Sequence, residues 1–238
     1  MSDLVRCPLR SGSRAGDTIE DVANLGPGRP RLEQRRRRGT TPRAEILDAA
    51  AELFTTKGYA NTSTRAVADA VGIRQASLYH HFAAKDDILD ALLAETIAGP
   101  AELARRLHAE PEDATTKLYA LALFDVRQLR GARWNLGALY LLPELRTERF
   151  AAFRRRRDEL RGHYEQLAVE SLTATGVSED ACVLPFRLVE TVIAIRSDDG
   201  PAEADRVIPD AIVRIVGHQG AMDAVRVAAD ALLDRLSD

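Results

Sequence analysis

Residues 68–82 read ADAVGIRQASLYHHF: an apolar-spaced segment, a glycine turn, then Tyr79, His80, His81 and Phe82 in succession. Taken alone, those four residues fit a metal site, a catalytic histidine pair, or a surface made to lie on something charged. The flanks decide. Upstream, NTSTRAVADAVG is a short helix with Ser63 as its cap, Val67, Ala70 and Val71 on its buried face, and Gly72 closing it. QASLYHHF is long enough for only two helical turns. Leu78 and Phe82, four residues apart, turn inward with Val67 and Val71, which leaves Gln75, Ser77, Tyr79 and His80 on the opposite face. A preceding helix is capped by Thr41, carries Pro42 at its first position, and repeats Ile46, Leu47, Ala50, Leu53 and Phe54 at helical spacing. Gly58 ends that helix in a left-handed cap, with Tyr59 packing back on its last turn.

Two short helices joined by a glycine turn and braced by an apolar first helix have the layout of a helix-turn-helix, whose second helix enters the major groove. On this reading Gln75, Ser77, Tyr79 and His80 meet phosphates, base edges and thymine methyls. Thr64, in the first turn of the preceding helix, bonds a phosphate where backbone N–H groups also point outward. Lys85, opening a fourth helix with Ile88, Leu89, Leu92 and Leu93 apolar, clamps the far phosphate. Neighbouring helical residues point about 100° apart, so His80 and His81 cannot easily share a metal ion; His81 is expected to support the fold locally.

The bulk properties agree with one localised polyanion contact. The 238 residues carry a net charge of only −3, yet Arg29 to Arg43 holds seven arginines against one acid, Glu33, a local net charge of +6. Residues 1–40 lack a sustained apolar period and are expected to form a flexible basic arm, either a solvated tail or an extra contact along phosphates or in a minor groove. Cys7 and Cys182 are the only cysteines, which gives no disulfide framework and no cysteine metal site. The N-terminus shows no signal-peptide core, and no apolar run approaches the roughly 20 residues of a membrane span. A cytoplasmic protein that makes no membrane contact is expected.

Beyond Gly99–Pro100 every convincing segment is again helical: 113–132, 136–145, a long charged helix from 148 closed by Gly176, 178–198, then Pro209 to the end with a break at GHQG, 217–220. The fold class is all-α. The run FRRRRDELR at 153–161 has acids at i+3 and i+4, such as Arg155 with Asp158 and Glu159, and is expected to form intrahelical ion pairs on a wet face. Tyr119, Phe124, Trp134, Tyr140 and Phe186 are candidates to line a mostly apolar ligand pocket, and each equally suits plain core packing. His163 and Cys182 are isolated and do not make a site. No catalytic triad context, glycine-rich phosphate loop or paired carboxylates point to an enzyme, and no cofactor or metal is expected.

The stretch RAEILDAAAELFTTKGYANTSTRAVADAVGIRQASLYHHFAAKDDILDALL, residues 43–93, resembles the DNA-binding domain of the tetracycline-repressor (TetR) family of bacterial transcription regulators. The likeness lies in several linked motifs: the ILDAAAELF helix, the GY that ends it, the TSTR-x-VA helix, the GIR and SLYHHF unit, and KDDIL. It covers about a fifth of the chain. The resemblance implies a three-helix DNA-binding domain at 41–94 and a larger helical ligand-binding and dimerisation domain at 95–238. By matching position it implies DNA contacts at Thr64, Arg74, Gln75, Ser77, Tyr79, His80 and Lys85. It further implies a homodimer, with the regions near 178–197 and 209–235 packed against their copies, reading a palindromic operator in double-stranded DNA. A small-molecule effector would release the DNA through the helix that begins at Lys85. The alternative is a DNA-binding architectural or partner-recruiting factor that ignores ligands.

Overall fold

Thr41 starts the first helix: its Oγ1 accepts from the Ala44 amide at 3.2 Å, and Pro42 fills the first turn, so α1 runs Pro42–Thr56. The computed structural model describes residues 39–198 and 204–237, so residues 1–38, which hold nearly all of the expected basic arm, lie outside the described residues. Gly58, at φ +87°, turns the chain so that Tyr59 meets Phe54 edge-on, ring centroids 4.9 Å apart. Ser63 caps α2 (Thr64–Val71) by accepting from the Ala66 amide at 3.1 Å. Gly72 then sits at φ +77°, a left-handed conformation that a side chain would strain, and aims the chain into α3 (Gln75–Tyr79).

The next helix, α4, runs Lys85–Leu107 straight through Gly99 and Pro100. A proline inside a helix lacks the N–H that would bond the carbonyl four residues back. That carbonyl belongs to Thr96, and the Gln128 side chain supplies the missing donor, its Nε2 bonding Thr96 O at 2.8 Å. Gly99 permits this approach, because a Cβ there would stand 2.5 Å from Gln128 Oε1. The Thr96 hydroxyl donates to Leu93 O and accepts from Tyr140 Oη at 2.6 Å. The expected division at residue 94 thus falls inside one continuous helix. Leu92 lines a crevice with Leu47 and Asp48 of α1, whereas Gly99 faces Phe124 and Gln128.

Gln128 belongs to α5 (Ala114–Gly131), the central helix of the C-terminal half, capped by Asp113. It packs against α4, α6 (Ala151–Thr175), α7 (Leu184–Ser197), α8 (Ala204–Ile215) and α9 (Met222–Ser237). Enclosed on so many sides, Leu118 to Leu123 are all fully buried. The described residues form no strand, so the fold is all-α, and α8 and α9 part at Gly217 (φ +91°), inside the expected GHQG break.

Four segments depart from the sequence expectation. The last helical region, expected from Pro209, begins earlier, because α8 starts at Ala204 and runs through that proline. Residues 136–145 form two 3-10 turns rather than an α-helix. Leu142 lies between them in an extended conformation because the proline that follows disfavours the helical region for it. In 178–198 a 3-10 turn, Glu179–Val183, precedes α7, which begins where Pro185 suits a first turn. The arginine run also pairs differently. Arg161, not Arg155, makes the intrahelical pairs, with Asp158 at 3.2 Å and Glu165 at 3.5 Å. Arg157 reaches across to Glu190 on α7, and Arg154 bonds backbone carbonyls.

Gln128→Leu leaves the Thr96 carbonyl buried without its donor. The expected cost is about 1–3 kcal/mol of stability, the penalty for an unsatisfied buried polar group, read as a lower urea midpoint with an unchanged slope.

Candidate nucleic-acid interface

The face expected to read DNA is built from the inside out. Leu78 is fully buried and Phe82 nearly so, together with Val67 and Val71 of α2. The guanidinium of Arg43 lies 4.3 Å from the Phe82 ring centroid and covers the outer side of this small core. With those residues anchored, the other side of α3 faces solvent: Arg74, Gln75, Tyr79 and His80 are exposed and Ser77 is half-buried. Tyr79 keeps 46% of its surface accessible, high for an aromatic side chain.

Three of the expected contact residues touch one another. Gln75 Nε2 donates to Thr64 Oγ1 at 2.9 Å and to Tyr79 Oη at 3.3 Å, and the two hydroxyls lie 3.1 Å apart. This polar triangle ties the start of α2 to α3 and fixes the orientation of Gln75 before any partner arrives. Arg74 and His80 flank the short helix as its N-cap and C-cap residues. Lys85 is placed differently from a freely extended clamp. Its Nζ donates to Tyr59 O at 2.9 Å and lies 4.0 Å from the Tyr59 ring centroid, so only part of its donor capacity points outward. His81 is exposed rather than packed into the fold. The packing of Arg43 on Phe82 is what the sequence reading missed, because their spacing of 39 residues gives no signal.

The five aromatic candidates of the C-terminal half do not converge. Tyr119 is fully buried on α5 and donates to Asp210 on α8. Phe124 borders Gly99 of α4. Trp134 Nε1 donates to Asp48 of α1 at 3.3 Å, at the crevice between α1 and α4. Only Tyr140 and Phe186 share a partner, standing 5.4 Å and 5.2 Å from the Arg157 guanidinium. Arg157 could have been found from periodicity: it falls on the buried stripe Phe153, Leu160, Tyr164 and Leu167. His163 pairs with His108 across a 2.9 Å contact, and burial, then the His108 and Arg105 charges, lower its pKa. No group of three or more candidate ligands able to hold a metal occurs among the described residues, and none of their helices is long and apolar enough to cross a membrane.

Residues 46–92 match the family model of bacterial regulatory proteins, tetR family. A crystal structure of Mycobacterium smegmatis AmtR is 57% identical, with a TM-score of 0.82 over 84% of this chain and 98% of that one. The transcriptional repressor KstR2 of Mycobacterium tuberculosis is 47% identical over 51 residues, a match spanning 21% of this chain and 26% of the repressor's length. The transcriptional regulator TcmR of Streptomyces glaucescens is 31% identical over 149 residues, 59% of this chain and 64% of that protein. The chain belongs to the tetR family and is a helix-turn-helix, DNA-binding transcriptional regulator, not an enzyme.

Behind Arg157 lies one buried acid. Asp125 is enclosed within the C-terminal half and accepts from Tyr164 Oη at 3.1 Å; burial, with the nearby Glu190 charge adding to it, pushes its carboxyl up to about 7. A folded-state pKa above the ordinary aspartate value of 3.8 means that between the two values the folded protein holds a proton the unfolded chain has released. Stability from this group is therefore fully present below about pH 4 and is lost as pH rises to about 7. Asp125→Asn should flatten that decline in denaturation profiles across the window, with the difference levelling off above neutrality.

Proposed function

We propose that the chain is a ligand-responsive repressor that binds a palindromic operator as a homodimer. The observation that carries the DNA half of this reading is the exposed Thr64–Gln75–Tyr79 triangle standing on the buried Leu78 and Phe82. Thr64, Arg74, Ser77, Tyr79, His80 and Lys85 contact phosphates and sugars on this reading, and Gln75 reads a base edge. The assignment as a repressor is supported by the name carried by the KstR2 relatives. The effector half is supported by α4, one rod shared by the helix-turn-helix side and the C-terminal core. A ligand that prefers one setting of that rod shifts DNA affinity by its differential affinity for the two states. Domains at 41–94 and 95–238, with a basic arm before them, are proposed as functional units sharing α4.

A second copy is proposed to cover the outer faces of the last helices. Val207 on α8 and Val227 on α9 are 59% and 69% exposed, and Leu184 opens α7 at 40%. The two reading helices would then sit about one DNA turn apart, roughly 34–36 Å. A second reading drops the effector: the complete enclosure of Leu118 to Leu123 fills the middle of the C-terminal half with side chains. Titrating small molecules against a preformed operator complex separates the two.

Tyr79→Ala should weaken binding to specific and unrelated duplexes alike in gel-shift titrations, with helical circular dichroism intact. Gln75→Ala should instead relax preference at one base pair by about 1–3 kcal/mol. Val227→Asp should move the protein from dimer to monomer in light scattering, because a carboxylate would then be buried unpaired in the interface.

A further inference from the structure

Between the 3-10 turns at 136–146 and the start of α6 lies a cavity of about 230 Å³. Tyr140 and Phe153 form one wall, ring centroids 5.9 Å apart, and Leu141, Leu142 and Leu145 form an apolar lip. Leu141 is 90% exposed there. Three arginines, Arg146, Arg154 and Arg157, line the same cavity. Arg154 Nη1 is held by the carbonyls of Leu145 and Thr147 at 2.6 and 2.5 Å; these acceptors are neutral, so its charge stays uncompensated. Arg157 is only 24% exposed and pairs with Glu190, and its Nε is buried without a hydrogen-bond partner among the described residues. Arg146 stands exposed at the rim, and no ion pair joins it to a described residue. Asp158, the cavity's acid, is paired with Arg161 at 3.2 Å.

Apolar walls with excess fixed positive charge select an anion that has an apolar body. A cation is repelled, and a neutral molecule covers the guanidinium groups without bonding them. The volume lies below the roughly 300 Å³ at which pockets for drug-sized ligands begin, so the ligand is small. We propose that this cleft binds a small organic carboxylic acid, its carboxylate on Arg146 and Arg157 and its body against Tyr140, Phe153 and the leucine lip.

The cleft wall is also a handle on α4. Tyr140 Oη holds the Thr96 hydroxyl in mid-helix, and Arg149, just beyond the turns, pairs with Asp87, which closes the start of α4 by accepting from the Ala84 amide at 2.9 Å. A ligand that shifts the turns pulls on both points. This consequence rests on the effector reading above; the binding itself does not.

The test uses the full-length protein with hexanoate, benzoate and phenylacetate as probes, beside their amides, in calorimetric titrations. At least one acid should bind at least about tenfold more tightly than its amide. Arg146→Gln should weaken that acid by about tenfold while leaving the thermal midpoint unchanged, because Arg146 is exposed and holds no structural contact. Arg157→Gln should remove binding; if that variant does not fold, Arg146→Gln alone decides. The proposal is overturned if no acid binds, if acid and amide bind alike, or if Arg146→Gln leaves the affinity unchanged. Capture of an acidic peptide at this cleft in place of the small acids also overturns it. An acid that binds through Arg146 yet leaves a preformed operator complex intact upholds the cleft and overturns only its link to α4. A neutral apolar molecule that releases DNA equally from the wild type and Arg146→Gln supports the effector reading, overturns the link of this cleft to DNA release, and leaves the acid-binding result to decide the cleft.

Discussion

The carbonyl of Thr96 is the point at which α4 is fastened to the helices of the C-terminal half. Pro100 strips it of its helical partner, Gln128 supplies a replacement from α5, and Gly99 clears the space that the replacement needs. One residue position therefore joins the rod that starts beside the recognition helix to the most enclosed helix of the C-terminal half. The Thr96 hydroxyl adds Tyr140, bringing the 3-10 turns into the same junction. α4 is thus fastened at its middle by Gln128 and Tyr140 and near its start by Arg149.

The recognition face obeys a complementary constraint. A helix of five residues has almost no stability of its own, so its orientation comes from Leu78 and Phe82 below and from the Thr64–Gln75–Tyr79 triangle above. The triangle holds its three side chains in place in the free protein, leaving one hydroxyl proton and Gln75 Oε1 unused, which lowers the ordering cost of meeting a duplex. Lys85 belongs to the same economy of position: bonded to Tyr59 O, it braces the end of α1 while keeping donors in reserve.

Much of this was legible in the residues, and the limits have physical causes. Caps at Thr41 and Ser63, turns at Gly58 and Gly72, and the inward spacing of Leu78 and Phe82 are local signals, and local physics sets those features. Proline was the less dependable marker. At 143 it does break the helical pattern, whereas at 100 the side chain of Gln128, on the next helix, repairs the loss, and only tertiary contact can say which will happen. The arginine run misled for the same reason. Composition marks FRRRRDELR as a wet face, but Arg157 sits on the buried stripe and draws its partner from another helix. The aromatic candidates carried the least information, since an aromatic at helical spacing looks alike whether it lines a cavity or fills a core.

Trp134 is the chain's single tryptophan, and its indole N–H rests on Asp48 of α1 while Arg133 lies over the ring at 4.6 Å. The seam between the first helix and the rest of the molecule thus carries a lone fluorophore flanked by a carboxylate and a guanidinium. Any opening of that seam changes the local field at the indole, so the intrinsic emission of the unlabelled protein is an optical gauge of how its two halves are seated.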